Sequence, residues 1–549
     1  MTSPARACAR ALCLLMLAAL AAAHARAQDA SAPAYKISYT LSMPEPASHL
    51  FNVRVDVSGI NGADHVDFQM PRWSPGRYAV FEFAKNVQEA RYASGLADSA
   101  TSPAERLDTQ TWRVPVVAAD KLRRAGGRSV TFLYKVFADD LSGTFSQLDA
   151  RHANFNGGSV FVYVVGHKQD AAGLKIEAPK GWKIINGQSK STEQSSFDFA
   201  NYDLLIDAPT EVAPDFNVET FEVKGKTYRV VVHSFGDEGG KRGELAKQVE
   251  RVVRAETSLM PEPDYEQYTF LFHFDPTSRR GDGMEHLNST QIIETSALGA
   301  DDALADAVGT AAHEFFHVWN VKRMRPAGLG PWDFTRPVVT RGLWIAEGFT
   351  NYYGKLSQRR AEVWDDERLL RAYSGAVGGI ENQPGVRLTS AVEASLLAPF
   401  IDRASHDQKT NVANTLVSYY PKGETVALTL DLLIRGRTRG RASLDDVMRR
   451  GYTKFYLESP ADTYYLKGHA YTVEEFERLA SEATGLDLSD FFRRYVHDTE
   501  TLPYDEALAY VGLRLVRTPE AARTTYRIER DDKATPEARA LREAWLKGK

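Results

Sequence analysis

Residues 308–319 read Val308-Gly-Thr-Ala-Ala-His313-Glu-Phe-Phe-His317-Val-Trp319. Val308, Ala312, Phe315 and Trp319 recur at helical spacing, which predicts a helix of about 304–321 with one packed face. Two imidazoles four residues apart on such a helix lie about 40° apart around its axis and can grip one cation together. The packed residues flank this pair rather than coincide with it, so both rings can face a cleft. Glu314 projects from a neighbouring direction and can reach a water beside the ion. Thirteen histidines give a chance His-Glu-x-x-His a probability of only about a few per cent.

A zinc ion that does chemistry takes three protein ligands and leaves one position for water, so a third ligand is required. Glu347 is the candidate, thirty residues beyond His317 in Leu343-Trp-Ile-Ala-Glu-Gly-Phe-Thr350, on a helix expected from Leu343 past Tyr353. A helical glutamate alone is more often a solvated or paired carboxylate, but apolar neighbours on both sides disfavour that here. Gly283-Met284-Glu285-His286 opens an expected edge strand after a glycine-containing turn, where a carboxylate can meet a peptide's free ammonium or be merely structural. Tyr420 stands just before a helix expected to begin at Pro421; its phenol can donate to a developing oxyanion or simply pack.

Upstream, from Tyr35 to about Val232, short alternating runs such as Phe51–Val57, Val130–Phe137 and Ser159–Val165 predict an antiparallel β domain. The pattern turns helical near Lys241, which puts a domain boundary at 235–242. Arg6 and Arg10, the apolar run Ala11 to Ala23 and Ala25-Arg-Ala27 read as a secretory signal, too short to span a bilayer comfortably. Its removal would take both cysteines, Cys8 and Cys13, and three arginines, moving the formal net charge from −5 to −8. Any metal is then held by nitrogen and oxygen, and nucleic acid is not expected as a partner.

These residues together resemble the glycyl aminopeptidases, zinc peptidases of the gluzincin clan related in their catalytic domain to thermolysin and aminopeptidase N. The resemblance is carried by His313-Glu-Phe-Phe-His-Val-Trp-Asn-Val-Lys-Arg-Met-Arg-Pro326, Trp344-Ile-Ala-Glu-Gly-Phe-Thr-Asn-Tyr-Tyr353, Gly283-Met-Glu-His286 and Tyr420-Pro-Lys-Gly423. It extends to Pro71-Arg-Trp-Ser-Pro-Gly-Arg-Tyr78, Leu148-Asp149 and Phe155-Asn-Gly157. It implies one zinc ion per chain on His313, His317 and Glu347, with Glu314 as general base and proton shuttle and Tyr420 as transition-state donor. Gly283, Met284, Glu285 and His286 would contact substrate, Glu285 through its α-amine. His286 departs from the asparagine usual in the aminopeptidase N relatives.

The implied architecture is multidomain, β then α+β. A signal peptide (1–27) precedes an N-terminal antiparallel β domain (28–238), a thermolysin-like catalytic domain of small sheet plus helices (239–400), a helical C-terminal part (401–510) and a tail (511–549). Many relatives carry a PDZ domain near the C-terminus, and too few residues follow Tyr510 for one here. The expected activity is a periplasmic or secreted zinc aminopeptidase acting on peptides with a free N-terminus, with no stable membrane span after signal cleavage. A preference for glycine or alanine rests on the family alone. The alternatives are a zinc endopeptidase using the same metal site and a non-catalytic envelope binding protein.

Overall fold

The computed structural model describes residues 34–94, 101–116, 128–402 and 414–548; the expected signal sequence lies outside them. Strand Leu50–Ile60 buries Phe51, Val53, Val55 and Val57 while the residues between them face outward, the alternation that a one-sided sheet requires. It lies centrally in a seven-stranded sheet between Lys36–Ser42 and Arg128–Phe137, antiparallel to both. One pair in that sheet is parallel, Lys36–Ser42 with Ala172–Glu177. Two four-stranded sheets complete the N-terminal unit. Phe68, on strand His65–Gln69 of one of these, stacks on Phe132 of the large sheet, their centroids 4.8 Å apart.

The expected strand 159–165 shrinks to Tyr163–Val164 after a 3₁₀ turn at Gly157–Ser159. Residues 159–164 are all buried instead of alternating, and Val165 is exposed. Three tyrosine hydroxyls replace a partner strand: Tyr134 donates to Val160 O at 2.9 Å, Tyr202 to Phe161 O at 2.6 Å and Tyr39 to Val162 O at 2.9 Å. Buried carbonyls need a partner, and side chains supply it here.

The second unit is built on a five-stranded sheet with spatial order Asn217–Val223, Lys226–Ser234, Gln267–Phe274, Ser289–Glu294 and Asp282–Glu285. The first two strands form a hairpin through Lys224 and Gly225, both at positive φ, and the helix Arg242–Leu259 makes the crossover to the parallel strand Gln267–Phe274. The sheet therefore begins at Asn217, so the boundary expected at 235–242 falls after its first two strands; local composition cannot show which sheet a strand joins. Asp282–Glu285 is the outermost strand, antiparallel to Ser289–Glu294.

Helices follow, chiefly Ala303–Phe316, Gly348–Arg360, Asp366–Glu381, Tyr419–Thr438 and Val473–Thr484. The segment expected as a tail carries a hairpin and a helix. The hairpin Leu513–Pro519 and Thr524–Arg530 packs on Asp366–Glu381, and helix Pro536–Lys547 buries Trp545, whose indole donates to Tyr352 Oη at 2.8 Å. No helix among the described residues is long and apolar enough to cross a membrane.

Candidate metal centre

Helix Ala303–Phe316 packs Ala307, Val308, Ala311, Ala312 and Phe315 into the core and turns His313 and His317 to one side. The helix ends at Phe316, with His317 as its cap, short of the expected 321. The two Nε2 atoms lie 3.0 Å apart, and Glu347 Oε2 is 3.6 Å from that of His313 and 3.4 Å from that of His317. A tetrahedral zinc ion with bonds of about 2.0–2.1 Å needs donor atoms about 3.3 Å apart, so this triangle fits one. The donors, two imidazoles and a carboxylate without thiolate, also suit that ion.

Outer contacts fix the ligands. His317 Nδ1 donates to Asn320 O at 2.8 Å, leaving Nε2 free for a cation. The Asn320 amide in turn holds Ile345 O, Ala346 O and Thr350 Oγ1 at 2.9–3.1 Å, tying the first ligand segment to the third. Glu347 does not lie inside one continuous helix but at the junction of Leu343–Ala346 and Gly348–Arg360. There the helix Tyr419–Thr438 crosses glycine against glycine: a Cβ on Gly348 would stand 2.3 Å from Gly423 Cα, and one on Gly423 2.1 Å from Trp344 O. That close crossing brings Tyr420 to the site. Tyr420 sits in the first turn of its helix, rather than before it, with its ring centroid 6.4 Å from that of His313. Burial, then the Glu347 charge, holds its phenol well above the usual range, so it stays a donor.

Glu314 is buried, and its Oε2 has no hydrogen-bond partner. Among the protein groups alone, burial first and then Glu285 and Glu347 push its carboxyl well above the usual range, against the opposing His317. Gly283 leaves room for it, since a Cβ there would fall 2.1 Å from Glu314 Oε1. Glu285 joins Glu314 and His317 in a second group of convergent donor atoms. Met284 is fully buried, its sulfur beneath Gly76. His286 is not brought to the metal group: its Nδ1 lies 3.2 Å from Asp207 Oδ1 in the junction between the two units. The chain turns back at the end of the edge strand, and the side chains of 285 and 286 diverge.

Three contributors from the N-terminal unit carried no assigned role in the sequence, although the string at 71–78 marks where they lie. Tyr78 Oη donates to Glu347 Oε1 at 2.5 Å. Arg77 forms a buried ion pair with Asp282 at 2.5 Å and donates to Gly283 O at 3.2 Å. Gly76 has no room for a Cβ, which would meet Met284 Sδ at 2.1 Å and Glu285 Oε2 at 2.8 Å. Gly76 and Tyr78, with Glu285, Val321, Lys322, Arg325, Leu329, Trp332 and Tyr465, line a cavity of about 10 Å³, room for about one water. Val321 holds φ at 135°, a conformation that costs a β-branched residue about 1–3 kcal/mol and marks a tightly determined site.

The charge balance is one-sided. Glu285, Glu314 and Glu347 are all buried, whereas the nearby cations are committed elsewhere, Arg77 to Asp282 and Lys322 to Asp207 at 2.7 Å. No salt bridge is formed by Glu285 among the described residues. A buried carboxylate in that state either keeps its proton, as burial favours for Glu314, or takes a cation.

Residues 38–214 match the peptidase M61 N-terminal domain and residues 306–426 the M61 glycyl aminopeptidase domain, together more than half of the chain. The fold is similar to that of an aminopeptidase N family protein from Idiomarina loihiensis, with 26% identity over 88% of this chain and 79% of that one and a TM-score of 0.77. An M1 zinc metallopeptidase from Deinococcus radiodurans, in a variant bound to a Tyr-Ser-Ala substrate, aligns at 13% identity over 86% of this chain and 96% of that one, with a TM-score of 0.49. No curated protein sequence matches the chain.

Proposed function

The chain belongs to the M61 glycyl aminopeptidase family of zinc peptidases, and from that premise we propose an exported aminopeptidase that removes a small N-terminal residue from peptides. His313, His317 and Glu347 would hold the zinc ion, which when bound supplies Lewis-acid activation of water and of the scissile carbonyl. Glu314 takes the proton from the attacking water and passes it to the departing amine. Tyr420 donates its phenolic hydrogen to the carbonyl oxygen as that oxygen becomes negative. Glu285 pairs with the substrate ammonium and so registers the scissile bond one residue from the N-terminus. Asn320 and Tyr78 hold the ligands in one orientation throughout.

The observation that carries this reading is Glu285, a buried carboxylate beside the metal group with no cation of its own. An ammonium supplies what the protein withholds. The cavity next to it, walled by Leu329, Trp332 and Tyr465, supports a first residue with little or no side chain. Export rests on the basic and apolar pattern of residues 1–27, with the periplasm or the medium as destination.

The test compares glycyl and alanyl dipeptides with their N-acetylated forms. Native protein should cleave only the free-amine substrates, and Glu285→Ala should lose about 10²–10³-fold in kcat/KM on them. Equal cleavage of blocked peptides would instead make the protein an endopeptidase on the same metal site.

A further inference from the structure

His152, Glu211, His233 and His273 converge in the interior, their donor atoms all within 4.8 Å of one another and all four side chains buried. Two come from each unit. His152 directly precedes strand Ala153–Phe155, and Glu211 lies on the strand Thr210–Ala213 paired with it. His233 and His273 are register partners on the parallel strands Lys226–Ser234 and Gln267–Phe274. None of the four belongs to the centre described above.

Hydrogen bonding alone leaves this cluster incomplete. Glu211 Oε1 lies 2.6 Å from His233 Nδ1 and 3.2 Å from His152 Nδ1, and Oε2 accepts from Asn154 at 2.6 Å. His273 Nδ1 stands 3.5 Å from Glu211 Oε2 without forming a hydrogen bond, and neither of its ring nitrogens has a partner although the residue is 1% exposed. A neutral imidazole always carries one N–H, and burying it unpaired costs about 1–3 kcal/mol. Metal-binding imidazoles characteristically hydrogen-bond outward through their other nitrogen. Here His152 Nε2 meets Gln147 Oε1 at 2.9 Å in that way, whereas His233 Nε2, 3.3 Å from the exposed Asp215 Oδ1, forms no hydrogen bond. Phe235 covers all three rings at centroid distances of 4.9–5.5 Å, with the Arg151 guanidinium stacked on it at 4.0 Å.

We propose that His152, Glu211, His233 and His273 bind a second divalent transition-metal ion, zinc by donor set, that clamps the N-terminal unit onto the catalytic sheet. Three imidazoles and one carboxylate complete a tetrahedral sphere with no position left for water, so the ion is structural. The His273 ring, which no hydrogen bond anchors, turns in to close it.

The test removes the catalytic ligands and counts metal. Full-length His313→Ala/His317→Ala protein is saturated with zinc, dialysed and analysed by plasma mass spectrometry. About one zinc should remain per chain, against about two in the native protein, and chelation should lower the variant's Tm. Adding His273→Gln should release the remaining zinc. A zinc-saturated double variant with no bound metal, or one that keeps its zinc when His273→Gln is added, would overturn the proposal. Because activity is not read, the outcome is independent of the peptidase mechanism.

Discussion

Tyr78 carries more of the metal centre than its place in an N-terminal loop suggests. Its hydroxyl occupies Glu347 Oε1, which leaves Oε2 as the oxygen facing both imidazoles. Burial first, and then Glu347, keeps the phenol far above its ordinary range, so the donor never loses its proton at working pH. Tyr78→Phe should keep the fold and weaken zinc binding by about 10- to 100-fold, with turnover recovered at saturating zinc. Competition titration against a chromophoric chelator measures it, and unchanged affinity would strip Tyr78 of this role. The imidazole pair was legible in sequence because a helix brings residues four apart to one side. Glu347 was legible as an acid in an apolar segment. Tyr78 lies 269 residues from its partner, and no local rule joins them. His152, Glu211, His233 and His273 were invisible for the same reason, since only strand pairing gathers them.

At the scale of elements, the site depends on how closely two helices cross. Gly348 and Gly423 let Tyr419–Thr438 lie against the Glu347 junction, and the atom that a Cβ on Gly423 would meet first is backbone. Gly423→Ala should therefore push the helices apart, costing about 1–3 kcal/mol and withdrawing Tyr420 from the carbonyl it serves. Thermal melts and kcat should fall together. Gly379→Ala serves as the control: it sits in a helix with nothing near its Cβ, and should be neutral or slightly stabilising. A Gly423→Ala protein with native Tm and kcat would show the crossing to be slack. The sequence announces these helices but not their ends. Pro421 does occupy the first turn, where its missing N–H costs nothing, yet the helix starts earlier, at Tyr419 over the Ser418 cap. The break at Glu347 has no proline to signal it, because its cause is a partner helix remote in sequence.

Across the whole molecule, the two units form one catalytic object. Residues 71–82 reach from the β unit to the catalytic one, where Trp73 donates to Arg336 O at 2.8 Å and Arg72 N to Phe334 O at 3.2 Å. Arg77 is the central link: it holds Asp282 at the start of the edge strand, while Gly143 N donates to the same carboxylate at 3.0 Å. Both side chains of the pair are less than a tenth exposed, so water cannot compensate for either one alone. Arg77→Ala leaves a buried carboxylate without its guanidinium and should lower the unfolding free energy by about 3–5 kcal/mol in urea titrations. Adding Asp282→Asn removes the stranded charge, so the double variant should be more stable than Arg77→Ala alone, a coupling that independent sites would not produce. Activity should follow a different order. Both variants detach the edge strand that carries Gly283 and Glu285, so kcat/KM on free dipeptides should stay low even where stability returns. Additive stability losses, or full activity in the double variant, would mean that the N-terminal unit rests beside the catalytic site without shaping it.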